Sequence, residues 1–201
     1  MNKLTRIFGS NTKVQEIIFL QHDLKDVVRQ GFYESELLNI INFCEKQNLH
    51  YVKSKFKVML VDDVDYSNKA IRIRENDKRL GMHFIYISKD EEKALLAAYY
   101  ELIENHKGLG ELLGYPSCCI EYFTKKFTAE NPNPVHKPTN AWTNITKRDK
   151  DLVLLSHFPC RSECEESIIL AQKYLKTIYE LDKERAEELL KGLKIVDNEK
   201  C

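Results

Sequence analysis

Four of the six cysteines in this 201-residue chain fall in two short blocks, Tyr115-Pro116-Ser117-Cys118-Cys119 and Cys160-Arg161-Ser162-Glu163-Cys164-Glu165. Proline is favoured at the first position of a helix, where its missing N–H would have no partner in any case. Tyr115-Pro116 therefore predicts a helix that opens on Cys118 and Cys119. In the second block Ser162 and Glu165 have the spacing of a Ser-x-x-Glu capping box. That predicts a helix from about Ser162, with Cys160 just before the cap and Cys164 inside the first turn. Free N–H groups and the helix dipole favour negative charge at both places, so these thiols are expected to ionise readily.

Thiolates bind soft metals, attack disulfides or carry sulfur. The candidate metal ligands are Cys118, Cys119, Cys160, Cys164 and the neighbouring His157, and thiolate-rich coordination suits zinc or an iron–sulfur cluster. Neighbouring helical residues diverge by about 100° around the axis. Cys118 and Cys119 are accordingly expected to split, one joining Cys160 and Cys164 while the other packs or acts alone. Three thiolates, with His157 or an external ligand beside them, would leave the open position of a catalytic metal site; four would close it as a structural one. No Cys-x-x-Cys knuckle specifies the metal. Two other readings of the same residues stay open: an interaction scaffold stapled by a structural disulfide, and thiol-based sulfur transfer or redox chemistry. Cys44, within a helical pattern, and Cys201, at the chain end, are the background against which the four stand out.

The elements that position these blocks follow from periodicity. Apolar residues from Lys13 to Gln47 recur at three- and four-residue intervals (Val14, Ile17, Ile18, Leu24, Val27, Val28, then Leu37, Leu38, Ile40, Ile41, Phe43) and predict helices. Phe56–Val61, Ala70–Arg74 and Met82–Ile87 change to strand patterns, which predicts a three-stranded antiparallel meander with connections near Tyr66-Ser67-Asn68 and Asn76-Asp77-Lys78. A helix from Glu91 to His106 should bury Leu95, Leu96, Tyr99 and Leu102 and stop at Gly108-Leu109-Gly110. Those glycines lack the preceding strand that a dinucleotide fingerprint requires. Between Thr128 and Lys147 prolines predict an irregular loop, in which Trp142 is either an anchor to the core or a lid. Further helices are expected from about Ser162 to Leu181 and from Lys183 to Lys194.

The fold class is therefore α+β: N-terminal helices, a small antiparallel three-stranded sheet and a helical C-terminal half. The expected organisation is residues 1–90, a cysteine-bearing region 91–195 and a tail 196–201, packed as one unit.

Two longer blocks, Leu113-Gly114-Tyr115-Pro116-Ser117-Cys118-Cys119 with Phe123, and Ser156-His157-Phe158-Pro159-Cys160 with Cys164 and Ser167, resemble a mainly archaeal family, domain of unknown function 483. The resemblance covers roughly residues 110–174. It implies that the two blocks belong together and an archaeal, cytosolic origin, and it brings no activity with it.

Composition sets the outer limits. The chain is 43% apolar and 31% charged, with 31 Lys+Arg against 31 Asp+Glu. Such a balance gives no global field for nucleic acid or an anionic membrane. No run reaches the ~18 apolar residues of a membrane span. The first residues carry no apolar secretion signal, so the expected location is the cytoplasm.

Overall fold

The computed structural model describes residues 2–61, 69–128, 130–136 and 139–194. The connection at Tyr66-Ser67-Asn68, the Lys137-Pro138 step and the tail 196–201 with Cys201 lie outside the described residues. In chain order the elements are α1 (Asn2–Phe8), α2 (Asn11–Gln21), β1 (Val27–Phe32), α3 (Glu34–Lys46), β2 (His50–Lys53), β3 (Phe56–Leu60), β4 (Ala70–Arg74), β5 (His83–Ser88), α4 (Glu91–Leu102), α5 (His106–Leu112), α6 (Ser117–Lys126), α7 (Glu165–Leu181) and α8 (Lys183–Leu193). This is an α+β fold with a helical C-terminal half, as expected. None of the described helices is long and apolar enough to cross a membrane.

Helix α2 is the spine. It is capped by the Ser10 side chain and buries every residue from Val14 to Leu20. Two of those residues are polar and both are satisfied. Gln15 donates to the Val153 carbonyl at 3.1 Å and accepts from Arg185, while Glu16 pairs with the buried Lys25 at 2.6 Å. Asp151, remote in sequence, accepts from the backbone N–H groups of Asn11 and Thr12 at the start of the same helix. The main core gathers around α2 from both chain halves, from Phe8 to Leu193. Trp142 packs against this core, which favours the anchor over the lid.

The sheet departs from the simple meander. β3 and β4 pair antiparallel as predicted. The third predicted strand, β5, instead becomes the centre of a separate sheet, ordered β1-β5-β2. Its backbone link to the β3–β4 pair is the isolated Val58–Met82 bridge, beside which Phe56 packs edge-on against Phe84. Both of its full partners escaped periodicity. Val27 and Val28 fitted the helical spacing of the preceding segment, but they are β-branched and pack better on a pleated surface. They pair with Ser88 and Ile87. The four-residue β2 is too short to register as a pattern.

Helix α4 turns a different face inward from the expected one. Leu95, Tyr99 and Leu102 are half exposed, Leu96 is also exposed, and Ala94, Ala97 and Glu101 are buried. The alanines let the helix lie close to the sheet, and Glu101 reaches a basic partner beneath it. Apolar character alone misplaced that face. The helix ends at Leu102, and His106 opens α5 instead of closing α4. Gly108 and Gly110 are inside α5, not a stop. A Cβ on Gly108 would lie 2.7 Å from the Tyr100 ring, and one on Gly110 would lie 2.8 Å from Ile120. Both glycines are there for close helix crossings, with α4 and with α6.

Candidate metal centre

Helix α6 starts at Ser117 with Pro116 at its N-cap, one residue earlier than a first-turn position, so Cys118 and Cys119 are in the first turn. The second block differs more from expectation. Helix α7 starts at Glu165, with Cys164 itself at the N-cap, and the Ser162–Glu165 capping box does not form. The Ser162 carbonyl instead accepts from the Thr143 hydroxyl at 2.7 Å, and Asn140 donates to Glu163 at 2.9 Å. The loop after α6 thus holds the turn that carries Cys160 and Cys164.

All four sulfurs converge. Their Sγ atoms lie within 4.8 Å of one another, an arrangement able to hold a metal ion. Cys119 and Cys164 are 3.6 Å apart, Cys118 and Cys164 3.7 Å, and Cys118 and Cys119 3.9 Å. The expected split between Cys118 and Cys119 does not occur. In a helix the Cα–Cβ bonds tilt toward the N-terminus, so side chains of the first turn lean past the end of the helix. Beyond that end there is no backbone to keep the sulfurs apart. Cys119 and Cys164 are buried; Cys118 and Cys160 are half-buried, and all four are free thiols.

The supporting contacts run inward from Cys119. Its sulfur accepts from the Cys160 backbone N–H at 3.3 Å and lies 3.3 Å from the Ser167 hydroxyl. Ser167 is fully buried in the first turn of α7 and also bonds His157 Nε2 at 2.9 Å. His157 therefore meets the cysteine group through Ser167. Its ring packs on Tyr115, with centroids 5.1 Å apart, and its Nδ1 is buried with no partner among the described residues. Tyr115 accepts from Ser156, whose hydroxyl accepts in turn from Lys25.

The electrostatics divide the thiols. Burial pushes Cys118 up to about 12, helped by hydrogen bonds with Cys160 and Cys164. Burial likewise raises Cys119 well above the ordinary thiol range. At Cys164 burial also acts against the thiolate. The side-chain and backbone hydrogen bonds of Ser167, with those from the other cysteines, outweigh it and leave Cys164 lowered. The general expectation of ready ionisation thus holds at Cys164 and fails at Cys118 and Cys119, where dehydration exceeds the help of the helix end. Burial, with Lys25 and Arg148 nearby, drives His157 down to about 3, so its imidazole is neutral. Lys25 is the opposite case. Burial opposes its charge, but Glu16 more than compensates and holds the ammonium.

Both cysteine blocks fall inside one family match. The model for protein of unknown function (DUF483) covers residues 93–194, from within α4 to the end of α8. The chain belongs to this family. The match extends the 110–174 resemblance at both ends and takes in all of α5, α7 and α8. No curated protein and no solved structure matches the chain.

Sequence reasoning brought the right cysteines together. It missed the inner contacts: Ser167 as the link between Cys119 and His157, and the buried Lys25–Glu16 pair behind Tyr115. Ser167 had a usable signal, since it stands three residues after Cys164 and so on the same side of the helix start. Lys25 had none, because an isolated lysine reads as a surface residue until its partner is known.

Proposed function

We propose that this protein is a zinc protein in which Cys118, Cys119, Cys160 and Cys164 hold a single ion as a closed tetrathiolate site. The observation that carries the reading is the sulfur spacing. Four sulfurs about 2.3 Å from a central zinc form a tetrahedron with edges of about 3.8 Å. The separations among Cys118, Cys119 and Cys164, 3.6, 3.7 and 3.9 Å, are close to that edge, and Cys160 Sγ lies within 4.8 Å of each. An iron–sulfur cluster places several irons and bridging sulfides between its thiolates, and sulfurs this close leave no room for them. Four thiolates also leave no open position, so the ion serves structure: it fastens the start of α6 to the turn before α7. His157 supports the centre through Ser167 instead of ligating. The N–H and hydroxyl bonds to Cys119 are the kind of outer contacts that orient and stabilise a thiolate ligand. A cytoplasmic setting would keep the four thiols reduced for this purpose.

The lowered Cys164 favours a second reading, in which metal-free thiols perform redox or sulfur-transfer chemistry with Cys164 as the reactive group. Anaerobic purification followed by zinc, iron and sulfide analysis separates the two. One zinc per chain with no labile sulfide, lost in Cys119→Ser, is the expected result. Iron with sulfide would replace zinc by a cluster. Metal-free protein that takes up no zinc, and in which Cys164 alone is alkylated at mildly acidic pH, would favour the second reading.

A further inference from the structure

Next to the cysteine centre a cleft of about 1070 Å³ opens between the sheets and helices α2, α5 and α6. Small-molecule sites commonly enclose ~300–1,000 Å³, so this volume suits a substantial organic ligand. Cys119 and His157 belong to its wall, and Arg29 and Arg72 line it on the side of the strands. We propose that the cleft binds a small organic anion, with a flat apolar body against the aromatic wall and a carboxylate or phosphate held by Arg29 and Arg72.

The aromatic wall comes from the two cysteine-bearing blocks. Phe123 stacks on Phe127 at 4.7 Å and on Phe158 at 5.7 Å, and all three line the cleft. Aligned ring edges and faces give a planar ligand large contact area. His157 belongs to the same wall through its ring, while its Nδ1 is buried without a partner among the described residues.

The charge argument rests on one shared carboxylate. Arg29 forks onto Glu101 through Nε and Nη2, and Tyr86 donates to the same carboxylate at 2.8 Å. Arg72 Nη2 donates to the Glu101 carbonyl at 2.9 Å and lies 3.9 Å from its carboxylate. Glu101 is thus saturated while two guanidiniums depend on it. Glu104 lies 3.5 Å from Arg72 but is 68% exposed, so it offsets little. The arginine side chains are 30% and 33% exposed and line the cleft with their guanidiniums over the Phe84 and Phe56 rings. Planar guanidinium forks match carboxylate and phosphate oxygens. Glu36 and Asp149 line other parts of the cleft, which suits a single anionic head.

The test uses the zinc-loaded full chain and three probes that share one ring system: 2-naphthoate, 2-naphthyl phosphate and neutral 2-naphthamide. Titration calorimetry should show at least one anion binding roughly tenfold tighter than the amide, as a charge-assisted contact supplies. Which anion wins identifies the head group. Arg72→Met should erase that preference and leave amide binding unchanged, and Phe127→Ala should weaken all three probes. If Arg72→Met does not fold, added salt on the unaltered protein should shrink the anion preference and spare the amide. Equal binding of all three probes, or no binding by zinc-loaded protein, would overturn the proposal. Zinc is assayed in the same samples. Probe binding by zinc-free protein would support the cleft and count against the metal reading alone.

Discussion

Ser167 ties the inner side of the cysteine centre to His157, its hydroxyl lying 3.3 Å from Cys119 Sγ and 2.9 Å from His157 Nε2. Ser167→Ala would remove both contacts and leave His157 with neither nitrogen paired in a buried place. Loss of such a bond costs about 1–3 kcal/mol. Loss of an outer contact to a metal ligand typically lowers affinity ~10–100-fold. Urea denaturation and competition with a zinc chelator should show both losses together. An unchanged zinc affinity would remove Ser167 from the account. At this scale the sequence was informative about residue type and less so about direction. Cysteine identity marked the site, and helix starts located it. The convergence of Cys118 with Cys119 depended on side-chain tilt at a helix end, which angular spacing does not contain. Cys44, fully buried and pushed up to about 12 by that burial, has the inert character expected of it.

Among the elements, α6 carries the first cysteine pair and Phe123 of the aromatic wall, and its crossing with α5 is set by Gly110. Its missing side chain admits Ile120 of α6, whose Cγ1 would lie 2.8 Å from an added Cβ. Gly110→Ala normally gains helix propensity, by about 1 kcal/mol. Overpacking at a tight crossing costs about 1–3 kcal/mol, and Ile120 is buried with little freedom to move. The net change should be destabilising, read as a lower Tm, while an added methyl at the open Gly114 position would test only its positive φ. A Tm raised by Gly110→Ala would show that the helices can separate. Element boundaries were legible where caps and periodicity agreed, as for β3, β4, α6 and α8. They failed where tertiary partners decided. Val27-Val28 became a strand because β5 was available to pair with it, and α4 turned alanines inward because Glu101 had Arg29 to meet.

For the whole molecule, long-range polar ties join the chain halves around α2. Asp151 caps its start, and Arg185 reaches Gln15 and the Asp151 carbonyl. Glu16 and Lys25 form a buried pair with the Lys25 ammonium over the Tyr115 ring, and the cysteine centre joins the start of α6 to the start of α7. The α+β class was legible because helix and strand periods occupy separate stretches. The cleft was not, since its walls come from residues scattered from Gly9 to Phe158 that share no local pattern. A zinc ion in the cysteine centre, as proposed, would hold the aromatic wall to the turn before α7. X-ray absorption at the zinc edge, on protein purified without added metal, reads its surroundings directly. The account predicts a single shell of four sulfurs at about 2.3 Å. A shell containing nitrogen or oxygen, or an absence of zinc with iron in its place, would contradict it.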